Sequence, residues 1–405
     1  MKNSSLAIDG GTPLRTKPLP GWPFFDAAAQ ERVSNCLASG KVSYWTGVEG
    51  REFEREFAYA QECEFAVALA NASVGLELAL HILEIGPGDE VITSPRTFIA
   101  SASSVVLRGA VPIMADVDRD SQNISADSIA KVLTPRTKAI IAVHLAGWPC
   151  EMGPILQLAN KHNLRVIEDC AQAQGAYYRG RPVGSLGDVG VFSFCQDKLM
   201  TTGGEGSMLT TNNAALWRKA WAYKDHGKDF DAVYKRAHPP GFKWLHESFG
   251  TNWRLTEMQS ALGRYFLQKI PDWVRTRQEH ARKLHSTFAK FECLRQIEVP
   301  EHIKHCYYRV YAFVRPERLK PGWTRDRIMT AIAAEGIPCA TGSCSEIYLE
   351  KCFDLLPQSR PPERLPNAKE LGETGLAFLV HPTLTAADIE DSCRAVEKVL
   401  SFASV

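Results

Sequence analysis

No stretch of the 405-residue chain reaches the roughly 18 consecutive apolar residues that cross a bilayer. The opening MKNSSLAIDGG has no apolar core long enough for a signal peptide. No CxxC pair occurs, and the eleven cysteines are scattered and odd in number. Neither a zinc site nor a disulfide framework is therefore indicated, no metal is expected, and a reducing cytoplasmic compartment is the simplest expectation. An excess of one charge is missing too: 47 Lys+Arg stand against 46 Asp+Glu, a formal net of +1. No overall basic field points to nucleic acid or a membrane surface. Internal repeats and low-complexity tracts are also absent. Finally, the glycines near residue 204 do not make a nucleotide-triphosphate loop. That loop needs Gly, four residues, then Gly-Lys-Ser/Thr. In FSFCQDKLMTTGGEG (192–206) Lys198 precedes the glycines. The lysine between an apolar run and a glycine cluster needs another explanation.

What is present is a regular alternation. FAVALA (65–70) reads as a buried strand and SVGLELALHILEI (73–85) as an amphipathic helix. EVITS (90–94) is followed by a helical stretch over 98–108, then by the strand VPIMADV (111–117). KAIIAVH (138–144), the helical EMGPILQLANKH (151–162) and RVIEDC (165–170) continue the series. Such alternation predicts a mainly parallel sheet with helices on both faces. Ligands on these sheets bind at the carboxyl ends of the strands. That rule selects Asn71, Ala72 and Ser73, residues 94–98, His144, Glu168 and Asp169, and residues 193–198. Beyond about 212 the pattern changes. Residues 224–252 are rich in charge, aromatics, Gly and Pro, and a loop of that length is functional or disordered. Residues 254–291 read as long helices broken near Pro271, and HCYYRVYAFV (305–314) as a strand of a smaller α+β unit, with helices near 325–335 and 386–402. The expected division is a large α/β domain over 1–265, with an N-terminal arm over 1–25, and a small α+β domain over 266–405.

Taken singly, each selected residue has two readings. Asp169 ends a strand, so it either caps a helix or makes a salt bridge, or it faces a protonated heterocyclic nitrogen. Lys198 is a surface lysine, or an amine among apolar neighbours whose lowered pKa suits Schiff-base chemistry. An Asp for a pyridinium nitrogen with a lysine for the aldehyde is the pair that pyridoxal phosphate uses. Asn71 and Ser73 cap a helix, or that helix N-terminus seats a phosphate. Ser193 is a strand residue, or it adds a hydroxyl there. Phe98 is core packing, or a surface for the ring to stack on. Gly203, Gly204 and Gly206 permit a tight turn after the lysine, letting the chain reverse into SMLTT (207–211).

EDCAQAQGA, FSFCQDKLMTTGGEG, VHLAGWPCEM and GTNWRLTEMQSALG occur in this order, and together they resemble the DegT/StrS family of aminotransferases. GGTPLRTKPLPGWP and SGKVSYWTGVEGREFEREFA are similar to family members too, so the resemblance spans nearly the whole chain. It implies a fold-type I pyridoxal-phosphate-dependent transferase with a seven-stranded-type, mainly parallel sheet. The implied activity moves an amino group from glutamate or glutamine to a keto-sugar, nucleotide-linked in most members, in amino-sugar biosynthesis for surface polysaccharide or secondary metabolites. A cyclitol or aminoshikimate-type aminotransferase or dehydratase is the alternative within the family. A non-catalytic nucleotide-sugar binding scaffold is the alternative outside it. By motif, Lys198 would carry the cofactor and Asp169 would pair with its ring nitrogen. Gln172 would bond the ring hydroxyl, Phe98 would stack, and Ala72, Ser73 and Ser193 would hold the phosphate. Asn252, in GTNWR, would be lent to the neighbouring subunit's phosphate, which implies a homodimer with shared active sites. Two departures stand out: five residues separate Lys198 from GEG where the family has four, and the motif ends GEGS, not GEGG. A slightly altered turn is expected, with the lysine's role kept.

Overall fold

The computed structural model describes residues 5–241 and 243–405. Its largest sheet has seven strands: β1 Phe65–Leu69, β2 Glu90–Thr93, β3 Val111–Met114, β4 Thr137–Val143, β5 Arg165–Asp169, β6 Val189–Ser193 and β7 Ser207–Thr211. Their spatial order is β1-β7-β6-β5-β4-β2-β3. The pairs β3–β2, β2–β4, β4–β5 and β5–β6 are parallel. β7 runs antiparallel to both its neighbours, β6 and β1. The strands from β2 to β6 thus share one carboxyl edge. β6 and β7 meet in the register Ser193↔Ser207, so the connection at 194–206 projects from that same edge.

The strands read as near-continuous apolar runs because both faces are covered. On one face lies the helix Ala72–Ile82, capped by Asn71, whose side chain accepts from the Val74 N–H at 3.1 Å. It buries Leu76, Leu78, Ala79, Leu80 and Ile82 against Val67, Val91, Ile141, Ile167 and Val191. The other face carries Phe53 and Phe57 of the helix Glu49–Ala60; Phe57 packs edge-on against Phe192 and Phe53 tilted against Phe194.

A second sheet of four short antiparallel strands is built from later sequence: β8 Leu294–Arg295, β9 Val310–Val314, β10 Cys339–Ala340 and β11 Gly375–Phe378, in the order β8-β9-β11-β10. The helices Ile270–Phe288, Arg325–Ala334 and Ala386–Ala403 share its core, and Leu6 from the N-terminal arm packs there as well.

The long helical region breaks near Pro271, as the sequence predicts: the gap is Gln268 and Lys269, and Pro271 lies in the first turn of the helix Ile270–Phe288. A missing N–H costs nothing there, since first-turn amides have no intrahelical partner. Two other readings of the sequence need correction. Only Val310–Val314 of HCYYRVYAFV is strand. Before it, the Cys306 and Tyr308 amides donate to Gly147 and Ala146, and Tyr307 is left-handed at φ 51°. The 224–252 region is no open loop at its start. Lys224 is fully buried and donates to Glu54 at 2.5 Å, Asp225 accepts from Trp45 and Arg254, and Phe230–Tyr234 is a short helix. Among the described residues no helix is long and apolar enough to cross a membrane, and all eleven cysteines are free.

Candidate active site

β5 sets the floor of the site. Successive residues of a strand point to opposite faces, so Glu168 and Asp169 diverge although both are buried. Asp169 faces a cavity of about 750 Å³. One of its oxygens accepts from Ser101 Oγ at 2.9 Å and the other from the Ala171 N–H at 3.1 Å. Burial pushes its carboxyl above the ordinary range, by more than the Ser101 and Ala171 hydrogen bonds and the Lys198 charge pull it down. A buried carboxylate so placed is short of positive charge, the deficit a pyridinium N–H would fill.

Six further predicted residues converge on this cavity. Ala72, Ser73, Phe98, Gln172, Ser193 and Lys198 line it together with Asp169. Ala72 and Ser73 form the first turn of Ala72–Ile82, where the opening N–H groups have no intrahelical acceptor and the helix dipole favours an anion. Asn71 caps the Val74 N–H, so the capping reading holds, and the cap leaves the Ala72 and Ser73 amides without an intrahelical acceptor. Ser193 is buried at the end of β6, and its Oγ accepts from the Cys195 N–H at 3.3 Å. Gln172 accepts from the Ala146 N–H through Oε1 at 2.8 Å, which turns its amide Nε2–H₂ into the only end free to donate to a ring hydroxyl. Phe98 is 68% exposed, too open to be core.

Lys198 lies in the connection after β6. Its N–H donates to the Cys195 carbonyl at 3.1 Å, and Cys195 and Gly204 form an isolated parallel bridge. The turn depends on Gly206, with φ 152°: a Cβ there would lie 2.1 Å from Thr202 Oγ1. The serine that replaces the last glycine of the motif, Ser207, opens β7 and sits fully buried beside Gly75 of the helix Ala72–Ile82. The Lys198 side chain is only 15% exposed; its Nζ lies 3.9 Å from Asp197 and 5.2 Å from the centroid of the Tyr308 ring. Asn252 is exposed and does not line the cavity.

His144 and Glu168, also selected at strand ends, turn away from the cavity and satisfy each other. Nδ1 of His144 accepts from the Cys150 N–H at 2.9 Å, so Nε2 carries the proton and donates to Glu168 at 3.0 Å. His144, Glu168 and Cys170 place three ligand-type atoms within 4.8 Å of one another, but both imidazole nitrogens are committed to hydrogen bonds. Sequence reasoning missed Ser101, which ends SPRTFIAS one turn beyond Phe98 and was within reach of a spacing argument. It also missed Trp22, whose indole N–H donates to the Lys198 carbonyl at 2.8 Å. Tyr308 and Arg309 were missed too; they line a second cavity of about 750 Å³ that shares Phe98, Gln172, Asp197 and Lys198 with the first. No local signal marks those contacts.

A mainly parallel seven-stranded sheet with a lysine, a carboxylate and a helix N-terminus gathered at its carboxyl edge defines the class: a fold-type I, pyridoxal-phosphate-dependent aminotransferase. The chain belongs to the DegT/DnrJ/EryC1/StrS aminotransferase family, whose model matches residues 24–397. A solved aminotransferase from Psychrobacter cryohalolentis is 53% identical and superposes with a TM-score of 0.93 over 95% of this chain and 99% of its own. The GDP-perosamine synthase of Caulobacter vibrioides is 34% identical over 93% of this chain and 97% of that protein. The L-glutamine:2-deoxy-scyllo-inosose aminotransferase of Streptoalloteichus tenebrarius is 34% identical over 82% of this chain and 80% of that one.

Proposed function

We propose that this aminotransferase moves an amino group from glutamate or glutamine to a nucleotide-linked keto-sugar in amino-sugar biosynthesis, in the cytosol. The observation that carries the reading is the single cavity shared by Lys198, Asp169, Gln172 and the N-terminus of Ala72–Ile82. The donor set fits pyridoxal phosphate: a charge-deficient buried carboxylate for the ring nitrogen, an amide donor for the ring hydroxyl, free helix amides for the phosphate. That cofactor supplies an aldehyde for the amine and an electron sink for the carbon that loses its proton. Asp169 would keep the ring nitrogen protonated, Ala72, Ser73 and Ser193 would hold the phosphate, and Phe98 would cover one ring face. Lys198 would anchor the cofactor and would then serve as the base that takes the donor's α-proton and the acid that returns it; tethered in the cavity, it would need no diffusing partner.

The second cavity, contiguous with the first at Lys198, offers room for a substrate larger than a free sugar. Asn252, exposed and outside the cavity, fits a residue lent to the partner in a homodimer with shared sites. The chain divides into a large domain over 1–265 and a small one over 266–405; position 265 falls near the end of the helix Glu257–Leu267. A cyclitol ketone is the second reading, favoured by the similarity to the scyllo-inosose enzyme.

The test begins with reconstitution. Purified protein mixed with pyridoxal phosphate should turn yellow and retain the cofactor covalently after borohydride. Nucleotide-linked keto-sugars, free keto-sugars and cyclitol ketones are then offered with glutamate or glutamine. Amination of the nucleotide-linked set is expected. Turnover of cyclitols alone selects the second reading, and a protein that stays colourless overturns the enzyme reading altogether.

A further inference from the structure

The connection after β6 is laced at its base and open around Lys198. At the base, the Phe194 N–H donates to the Gly206 carbonyl at 2.8 Å, and Cys195 bridges to Gly204. Farther out, the Lys198 N–H donates back to the Cys195 carbonyl at 3.1 Å. The side chain beyond is loosely held: Nζ stands 3.9 Å from Asp197 and 5.2 Å from the Tyr308 ring centroid. The direction of the amine is therefore set at the backbone end. There the Lys198 carbonyl accepts from the indole N–H of Trp22 at 2.8 Å, across 176 positions of sequence.

Trp22 is itself clamped. Trp273 meets its ring edge-on at 5.0 Å between centroids, and His381 stacks on it at 6.1 Å. The guanidinium of Arg277 lies 5.3 Å over the ring. Arg277 is 1% exposed, its Nε has no hydrogen-bond partner, and it reaches the Tyr307 and Tyr308 carbonyls at 3.4 Å. A buried cation so poorly served leans on the aromatic face, and that contact fixes the indole plane in return. The chain leading to Trp22 is fastened too. The Gly21 carbonyl accepts from Thr383 Oγ1 at 2.9 Å. Glu335 accepts from the Ala7 and Leu14 amides at 2.9 and 3.0 Å, and Arg15 pairs with Asp388 at 2.8 Å and Asp391 at 2.9 Å. The indole thus reaches Lys198 with its position and plane already decided.

Resting on the aminotransferase reading above, we propose that Trp22 is a positioning residue for Lys198. Its N–H fixes the peptide plane between Lys198 and Leu199, and with it the direction in which the lysine side chain leaves the backbone. Leu199 and Met200 are fully buried just beyond, so that peptide is pinned from both sides. A long amine side chain loses much rotamer freedom when it is held in one place, and a fixed starting direction lowers that cost. Anchoring the cofactor and moving the proton draw on the same amine, and both depend on its placement. Trp22 lines neither of the two cavities that meet at Lys198, so its effect reaches the reaction through the lysine and not through substrate.

Trp22→Phe is the variant that tests this, because it removes the N–H and keeps an aromatic face for Arg277. Trp22→Leu would strand a buried guanidinium and confuse placement with folding. In the cofactor-free protein, deuterium exchange of the amides over 195–206 should quicken by about 3- to 10-fold, the weight of one neutral hydrogen bond. The rate at which added pyridoxal phosphate becomes fixed to the protein by borohydride should fall by about the same factor. In the holoenzyme, kcat of each half-reaction, with amino donor and with keto-sugar, should fall by about that factor while both KM values stay within about twofold. Trp273→Phe trims the packing around the indole and keeps its N–H; it should lower the melting temperature and leave exchange and attachment unchanged. Wild-type exchange, attachment and kcat in Trp22→Phe overturn the proposal. An equal loss in Trp273→Phe does so too, because it makes the ring packing alone, as does a change confined to the KM of one substrate. If wild type attaches no pyridoxal phosphate, the aminotransferase reading falls, and amide exchange in the cofactor-free protein still decides whether Trp22 holds the Lys198 turn.

Discussion

Glu168 and Asp169 are neighbours on one strand, buried alike and pointing opposite ways. Glu168 accepts from the imidazole of His144 and from three backbone amides, those of Gly184, Leu186 and Gly187, at 2.7 to 3.0 Å. Burial raises its pKa, but those donors more than offset that, and the carboxyl ends below its ordinary range. Asp169 has one hydroxyl and one amide, and its carboxyl ends above its range. Two acids with the same burial thus end on opposite sides of their ordinary values, because one is saturated by the protein and the other is left for something the protein does not supply. Incomplete satisfaction at full burial, not burial itself, separates the face that works from the face that holds the sheet together.

The comparison is broken most severely on the working face. Lys198→Ala removes both the anchor and the proton carrier, and amino transfer should fall by about 10³-fold or more in a steady-state assay with saturating cofactor. The melting temperature should hold, because the side chain leaves a cavity wall and no core contact. Transfer at the normal rate would sink the mechanism.

Amide substitution of each acid probes the contrast directly. Asp169→Asn should lower turnover by about 10²-fold, as loss of a preorganised charge does. In the cofactor-free protein it should not destabilise. Asp169 titrates higher folded than unfolded, so its favourable contribution is present below the unfolded value and lost as pH rises through the folded one. At neutral pH the folded state therefore bears a cost that Asp169→Asn relieves. Glu168→Gln behaves in the opposite sense. Glu168 titrates lower folded than unfolded, so its stabilisation is present at neutral pH and disappears as pH falls through the folded value. The new amide would also turn N–H₂ donors toward donors, at a cost of about 2–3 kcal/mol. Chemical denaturation of the two variants at neutral and acidic pH checks the pair. Equal losses of stability at pH 7 would abolish the distinction.

Much of this was legible in the sequence, and the legible part has a common cause. Apolar runs of strand length alternating with amphipathic helices mark the parallel sheet, and the strand-end rule then gathers Ala72, Ser73, Phe98, Asp169, Ser193 and Lys198 at one edge; Gln172, which lines the same cavity, came only from the family resemblance. The same rule also returned His144 and Glu168, and nothing local distinguishes Glu168 from Asp169; only the strand's alternation, once its register is known, sends one inward to the cavity and the other away. Lys198 was located and the glycine turn after it anticipated, but the bridge between Cys195 and Gly204 has no periodic signature. Trp22 and Arg309 reach the site from far along the chain, so no window around Lys198 contains them. Pro271 marked the break correctly, because a residue without an N–H is tolerated in a first helical turn, where it starts the second helix.

The smallest effect sharpens the contrast at the rim. Phe98 is 68% exposed, against complete burial of Phe192 and Phe194 in the core behind β6. An aromatic face adds about 0.5–1.5 kcal/mol beyond its area when it stacks on another ring. Phe98→Leu keeps an apolar side chain of similar size and removes that face, so cofactor affinity should weaken by roughly 2- to 10-fold. Because Phe98 contributes little buried area without the cofactor, the melting temperature of the cofactor-free protein should stay put, whereas that of the holoenzyme should drop slightly through linkage. Phe192→Leu should do the reverse, lowering both melting temperatures and leaving affinity per folded molecule unchanged. Titration of pyridoxal phosphate into each variant, with melting curves on both forms, measures the two signatures; a Phe98→Leu protein that binds cofactor as tightly as wild type would return Phe98 to the status of an ordinary surface ring.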